Sequence, residues 1–80
     1  MNKIVDEAIR GVKELEENTP CGKHIVTGDV RKLSSKLFRQ IEDKSMEHVF
    51  CLCEELLHER SWELGVIAFD LAYRMIMIFG

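Results

Sequence analysis

The sequence predicts an all-α fold of about four short antiparallel helices that stack against one another in pairs. Three observations lead to this prediction. Apolar residues recur every three or four positions along four segments, brief polar turns separate those segments, and the chain has only one proline. Eighty residues are enough for one domain, although its core is marginal at this size. We expect residues 1–80 to form a single helical domain, the N-terminal portion of a longer helical-repeat architecture.

The first predicted helix covers residues 3–17 and ends just before the proline. Its apolar stripe consists of Ile4, Val5, Ala8, Ile9, Val12 and Leu15. Residues 18–20 stop the helix, because proline lacks the backbone N–H that would continue the hydrogen-bond ladder. A connection over residues 21–28, which contains Gly22 and Gly28, leads to the second helix.

The second and third helices are predicted over residues 30–41 and 46–58, with a short polar turn between them. Asp29 or Thr27 is the expected cap of the second helix, and Ser45 is the expected cap of the third. The apolar face of the second helix is formed by Val30, Leu33, Leu37, Phe38 and Ile41. That of the third is formed by Met46, Val49, Phe50, Cys53, Leu56 and Leu57.

The fourth helix begins after Ser61 and runs toward the end of the sequence. Its polar residues Glu63, Asp70 and Arg74 share a stripe only about 40° wide at about 100° per residue, and Asp70 and Arg74 are spaced to pair. Nearly all its other side chains are apolar, as is typical of a buried helix. Three short neighbours cannot easily surround such a helix. We therefore expect a second chain or further helices to cover it, with self-association through residues 64–79.

Composition and charge narrow the function classes. The formal net charge of −3 argues against a dedicated nucleic-acid module, although it allows a local basic face on an acidic body. Three cysteines and no secretory signal pattern predict reduced thiols in the cytoplasm. No uncharged apolar stretch reaches about 18 residues, so no transmembrane helix is expected. A glycine-rich phosphate loop and a nucleophile motif are missing from the sequence, and we expect no cofactor.

Three features follow one another within residues 21–76. They are a glycine-led helix start with a basic pair at residues 28–33, a helix ending in Cys-Glu-Glu-Leu-Leu at residues 53–57, and a long apolar helix within residues 58–72. In this order they resemble the N-terminal part of the DNA alkylation-repair family, the 3-alkyladenine glycosylase-like group of HEAT-like repeat proteins. The resemblance implies a curved stack of HEAT-like helical pairs whose basic concave surface holds duplex DNA, and it implies DNA glycosylase activity for a whole member. The family's catalytic residues belong to later repeats, so no catalytic residue is assigned here.

Basic residues on and near the second helix are candidates for contacts with a DNA backbone. The candidates are Lys23, Arg31, Lys32, Lys36 and Arg39. Contacts of this kind bind phosphates and are largely independent of base sequence. The alternative interpretation is a solvated helix face whose charge is balanced by Glu42 and Asp43.

The cysteines and histidines do not predict a metal site. Cys51 and Cys53 are two residues apart and therefore point about 200° apart on a helix, which prevents them from sharing one metal ion. The spacing Glu55-x-x-His58 occurs once, whereas a diiron site needs it on two helices. Cys53 fits the apolar stripe of its helix and is expected in the core.

Two function hypotheses result. The first is an N-terminal HEAT-like portion of an alkylation-repair protein, which contributes helix packing and DNA-backbone docking and is not catalytically complete alone. The second belongs to a different class. It is a self-associating helical protein-interaction module without a nucleic-acid role.

Overall fold

The computed structural model describes residues 3–20, 23 and 25–79, and this part of the chain folds into four helices without a strand. Helix α1 spans Lys3–Asn18, α2 spans Thr27–Gln40, α3 spans Met46–His58 and α4 spans Trp62–Phe79. The predicted all-α fold class is confirmed. Within the predicted connection between α1 and α2, Cys21 and Gly22 lie outside the described residues.

The helices pack so that α4 lies between α2 and α3. Helices α1 and α4 each contact all three other helices, whereas α2 and α3 do not approach each other. This is the pattern expected when the pair α1–α2 packs beside the pair α3–α4. The side chains fully buried in the common core include Val30, Leu37, Val49, Leu52, Leu56, Ile67, Leu71 and Met75.

Serine side chains cap α3 and support the start of α4, as the sequence predicts. The hydroxyl of Ser45 accepts a hydrogen bond from the backbone N–H of His48 at 3.2 Å. The hydroxyl of Ser61 accepts one from the backbone N–H of Leu64 at 3.4 Å. Each serine therefore satisfies one of the N–H groups that a helix leaves unpaired in its first turn.

The predicted cap of α2 is wrong. The helix begins at Thr27, so Thr27 and Asp29 both lie inside its first turn, and the capping position is Val26, which provides no side-chain hydrogen bond. The backbone carbonyl of Val26 accepts hydrogen bonds from the N–H groups of Asp29 and Val30. The helix therefore begins earlier in the chain than the apolar periodicity indicates. The carboxylate of Asp29 still adds favourable negative charge to the first turn.

The apolar composition of α4 raises the question whether this helix could span a membrane. Within the described ranges, no helix combines the length and the apolarity that crossing a membrane requires.

Candidate interaction surface

Helix α4 buries one face and exposes the opposite one. Its buried face consists of Leu64, Ile67, Ala68, Leu71 and Met75. We define the α4 stripe as Trp62, Val66, Phe69, Tyr73, Ile76 and Met77. These six residues fall within an arc of about 100° on the helix, and all are exposed except Val66, which is partly buried against the core. Phe69 is 72% exposed, Met77 64% and Tyr73 58%, so large apolar side chains lie open along most of the helix.

The neighbouring helices lie on the two flanks of the α4 stripe and do not cover it. On one flank, Ser34 of α2 contacts Asp70 of α4. On the other flank, the thiol of Cys53 of α3 lies 3.2 Å from the carbonyl oxygen of Ala68. Because α2 and α3 do not meet, the side of α4 between them stays open. As the sequence analysis expects, three short helices leave part of α4 exposed.

Helix α3 widens the apolar surface. Leu57 is 49% exposed, Met46 39% and Phe50 38%. Leu57 lies beside α4, since a Cβ placed on Gly65 would be 4.0 Å from its Cδ2 atom. These three residues belong to the predicted apolar face of α3, and the structure places them at its exposed edge. The apolar arc of α3 is too wide for one contact, and the core takes only Val49, Leu52, Cys53 and Leu56.

The polar edge of α4 is a buried network that joins α4 to α2. The hydroxyl of Ser34 donates a hydrogen bond to Asp70 Oδ2 at 2.6 Å, and Arg74 Nε donates to the same oxygen at 2.7 Å. Arg31 Nε lies 3.8 Å from Asp70 Oδ1. The side chain of Asp70 is only 9% exposed. The predicted Asp70–Arg74 pair is confirmed. It packs against α2, where Ser34 is a third member that the residue spacing does not predict.

Competing effects set the pKa of Asp70. Burial by itself raises the pKa, because it penalises the charged form. The hydrogen bonds from Ser34 and Arg74, together with the charges of Arg74 and Arg31, outweigh burial and hold the pKa of Asp70 below its ordinary value. Asp70 therefore serves as an ionised anchor between the helices.

Cations gather where this network meets the α4 stripe. The ring of Phe38 lies 5.4 Å from Lys44 Nζ and 6.0 Å from the guanidinium carbon of Arg74. Arg31 is 65% exposed beside them. Arg31, Phe38 and Arg74 line an open groove of about 360 Å³ together with the stripe residues Tyr73 and Met77. Three cations and one carboxylate make this flank of the apolar surface positively charged.

The structure places three of the residues predicted to contact DNA on different sides of α2. All of them are exposed: Lys23, Arg31, Lys32, Lys36 and Arg39. Arg31 faces Asp70 on the α4 side. Lys32 and Lys36 share a groove on the α1 side, which Glu14 also lines. The structure therefore brings Lys32 and Lys36 together and places Arg31 on another surface.

The thiols occupy different environments. Cys53 is buried, as predicted, and its thiol donates a hydrogen bond to the carbonyl of Ala68. Burial raises the pKa of the Cys53 thiol, which disfavours the reactive thiolate. Cys51 is exposed on another face of α3. In the described part of the chain, no three His, Cys, Asp or Glu side chains come together where they could hold a metal ion.

Comparison with known proteins adds no relative. No family model, no curated protein and no solved structure matches this chain. The resemblance to the alkylation-repair family therefore stays a prediction, and the function is inferred from the surface itself.

Proposed function

We propose that this domain is a protein-interaction module that self-associates, with the α4 stripe of one copy packed against the same stripe of a second copy. The observation that carries the proposal is the run of exposed apolar side chains along α4 between α2 and α3. From Trp62 to Met77 this run is about 22 Å long at about 1.5 Å per residue. A contiguous apolar patch of this size on a small domain typically marks an interaction site.

The accessible surface supports a partner that covers one side of the domain. The chain exposes 5603 Å². A folded monomer of this size exposes about 5,000 Å², so the excess is roughly 600 Å². Each partner in a standard protein–protein interface buries about 800 Å². The chain therefore exposes more surface than an average monomer of its mass, as is expected of a domain that buries one side against a partner.

The chemistry of the α4 stripe supports a second copy as the occupant. None of its six residues carries an ionisable charge at neutral pH, so the same patch on two subunits meets without burying a charge. A two-fold dimer requires only one such self-complementary patch. Phe69 and Tyr73 lie near the middle of the stripe, where aromatic side chains contribute most to association.

Sedimentation equilibrium of the purified chain tests this proposal. We expect the mass to rise from that of a monomer to that of a dimer as concentration increases, with half-association in the micromolar range typical of interfaces of this size. A chain that remains monomeric at millimolar concentration would contradict the proposal.

DNA-backbone docking by α2 is a second candidate, and it belongs to an N-terminal HEAT-like portion of an alkylation-repair protein. Lys32, Lys36 and Arg39 fall within an arc of about 60° on α2. They are exposed, and within the described residues none of them makes an ion pair. These free cations are the observation that favours phosphate contacts.

Fluorescence anisotropy with a labelled duplex tests DNA docking. Three phosphate contacts predict a loss of affinity of about 40-fold between 50 and 200 mM salt. Combining Lys32→Glu with Lys36→Glu should abolish binding, and Glu42→Gln serves as a control that leaves these cations in place. Affinity that does not change with salt would count against docking. Incubation with alkylated duplex should release no base, because the resemblance places the catalytic residues in later repeats.

A further inference from the structure

We infer that the two copies meet with their α4 helices parallel, about a two-fold axis that runs along α4. This inference rests on the proposed self-association, and it specifies the orientation of the second copy. It is carried by the opposite charges that border the two sides of the apolar surface.

One border is basic and the other is acidic. The basic border consists of Arg31 and Arg74, beside the groove that ends at the α4 stripe. On the helical wheel of α3, Glu54 and Glu47 lie about 60° and 80° from the exposed side chain of Leu57. Both are displaced from Leu57 in the direction away from the core. Both glutamates are exposed, and within the described residues neither makes an ion pair. We call this pair the acidic border.

The charges of the two borders lie at matching heights along α4. Leu57 lies beside Gly65, and Cys53 contacts Ala68, so α3 and α4 run antiparallel. At equal rise per residue, Glu54 is level with about residue 68 of α4 and Glu47 with about residue 75. Arg31 is level with Asp70 through its ion pair, and Arg74 itself lies at the height of Glu47.

Symmetry decides which borders meet in a face-to-face dimer. If the two-fold axis runs along α4, the basic border of one copy lies over the acidic border of the other. Arg31 then approaches Glu54 of the partner subunit, and Arg74 approaches Glu47 of the partner subunit. If the axis runs across α4, so that the helices are antiparallel, each border lies over its own copy. The four arginines would then meet one another, and like charges at an interface suppress an orientation. The parallel arrangement is the one that places both arginines of the basic border opposite glutamates of the acidic border.

A charge-reversal cycle measured by sedimentation equilibrium tests this orientation. In the parallel dimer, Arg31→Glu creates two like-charge contacts, and so does Glu54→Arg. We expect each single variant to raise the dimer Kd roughly tenfold at low salt. The double variant restores opposite charges and should return to within about threefold of the wild type. Glu16→Arg on α1 is the control, because it makes the same charge change away from the interface.

The outcomes separate the orientation from the self-association. If the wild type forms a dimer but both single variants leave its Kd unchanged, or the double variant is no better than the singles, the parallel orientation is overturned and self-association stands. If the wild type is monomeric, both fail. Arg31 also neighbours Asp70, so a urea titration must show that Arg31→Glu folds. Should it unfold, Glu54→Arg alone decides, since Glu54 is exposed and makes no ion pair among the described residues. In that case a tenfold weakening supports the parallel dimer and an unchanged Kd overturns it.

Discussion

Asp70→Ala is expected to lower the free energy of unfolding by about 2–3 kcal/mol, because it removes the acceptor that holds α4 to α2. Without the carboxylate, the hydroxyl of Ser34 loses its partner in a fully buried position. Arg74 loses its ion pair as well, although it is 34% exposed and water compensates part of that loss. A small domain has only about 5 kcal/mol of stability in total, so the variant should unfold at much lower urea concentration.

Urea denaturation followed by circular dichroism measures this effect. Glu16→Ala is the matched control, because it removes an equally charged carboxylate that is exposed on α1, away from the proposed interface. It should change stability by less than about 0.5 kcal/mol. If Asp70→Ala and Glu16→Ala unfold at the same urea concentration, the network does not stabilise the fold as described.

The depressed pKa of Asp70 also predicts how acid acts on the fold. A carboxyl group whose pKa is lower in the folded state contributes stability above its unfolded pKa, near pH 4, and loses that contribution as pH falls through the folded value. The wild type should therefore lose more stability between pH 5 and pH 3 than Asp70→Asn. Parallel losses in the two proteins would show that Asp70 has an ordinary pKa.

Phe69→Glu is expected to raise the dimer Kd by at least about 100-fold, because it places a charge in the middle of a desolvated apolar contact. Among the described residues, Phe69 is the most exposed of the large apolar side chains, so the substitution should leave the monomer folded.

Val26→Glu provides the control for this variant. Val26 is 65% exposed and lies at the start of α2, outside the α4 stripe. A glutamate introduced there should leave the dimer Kd within about twofold, since no desolvated contact is involved. Equal effects of the two variants on sedimentation would mean that general surface hydrophobicity, and not the α4 stripe, drives association.

Periodicity predicts the helices because it is a local property of the chain. The spacing of Ile4, Ala8 and Val12 or of Leu64, Ile67 and Leu71 indicates a helix whatever surrounds it, and these residues are mostly buried as expected. Periodicity does not determine which part of a wide apolar arc meets the core. On α3, the arc includes both the buried Leu56 and the half-exposed Leu57, and only the position of α4 separates them.

The polar network shows a second limit of sequence reasoning. Asp70 and Arg74 are four residues apart on one helix, so their pairing could be predicted from spacing alone. Ser34 is 36 residues away from Asp70, and its contact depends on how α2 and α4 are rotated against each other. The same rotation separates Arg31 from Lys32, although these neighbours look equivalent as members of a basic helix face. Contacts within one helix can therefore be predicted from residue spacing. The rotation of each helix about its axis cannot, and this rotation determines which side chains share a surface.

Quenching of the single tryptophan tests most directly whether a second copy covers the α4 stripe. Trp62 belongs to the stripe and is 50% exposed in one copy. Its fluorescence therefore shows, without any label, whether a second copy covers this surface. We predict that the efficiency with which acrylamide quenches Trp62 decreases as protein concentration rises through the dimer Kd. In Phe69→Glu the quenching efficiency should remain at its low-concentration value throughout. Quenching that remains constant while the mass doubles would show that association uses another surface, and it would contradict the role proposed for α4.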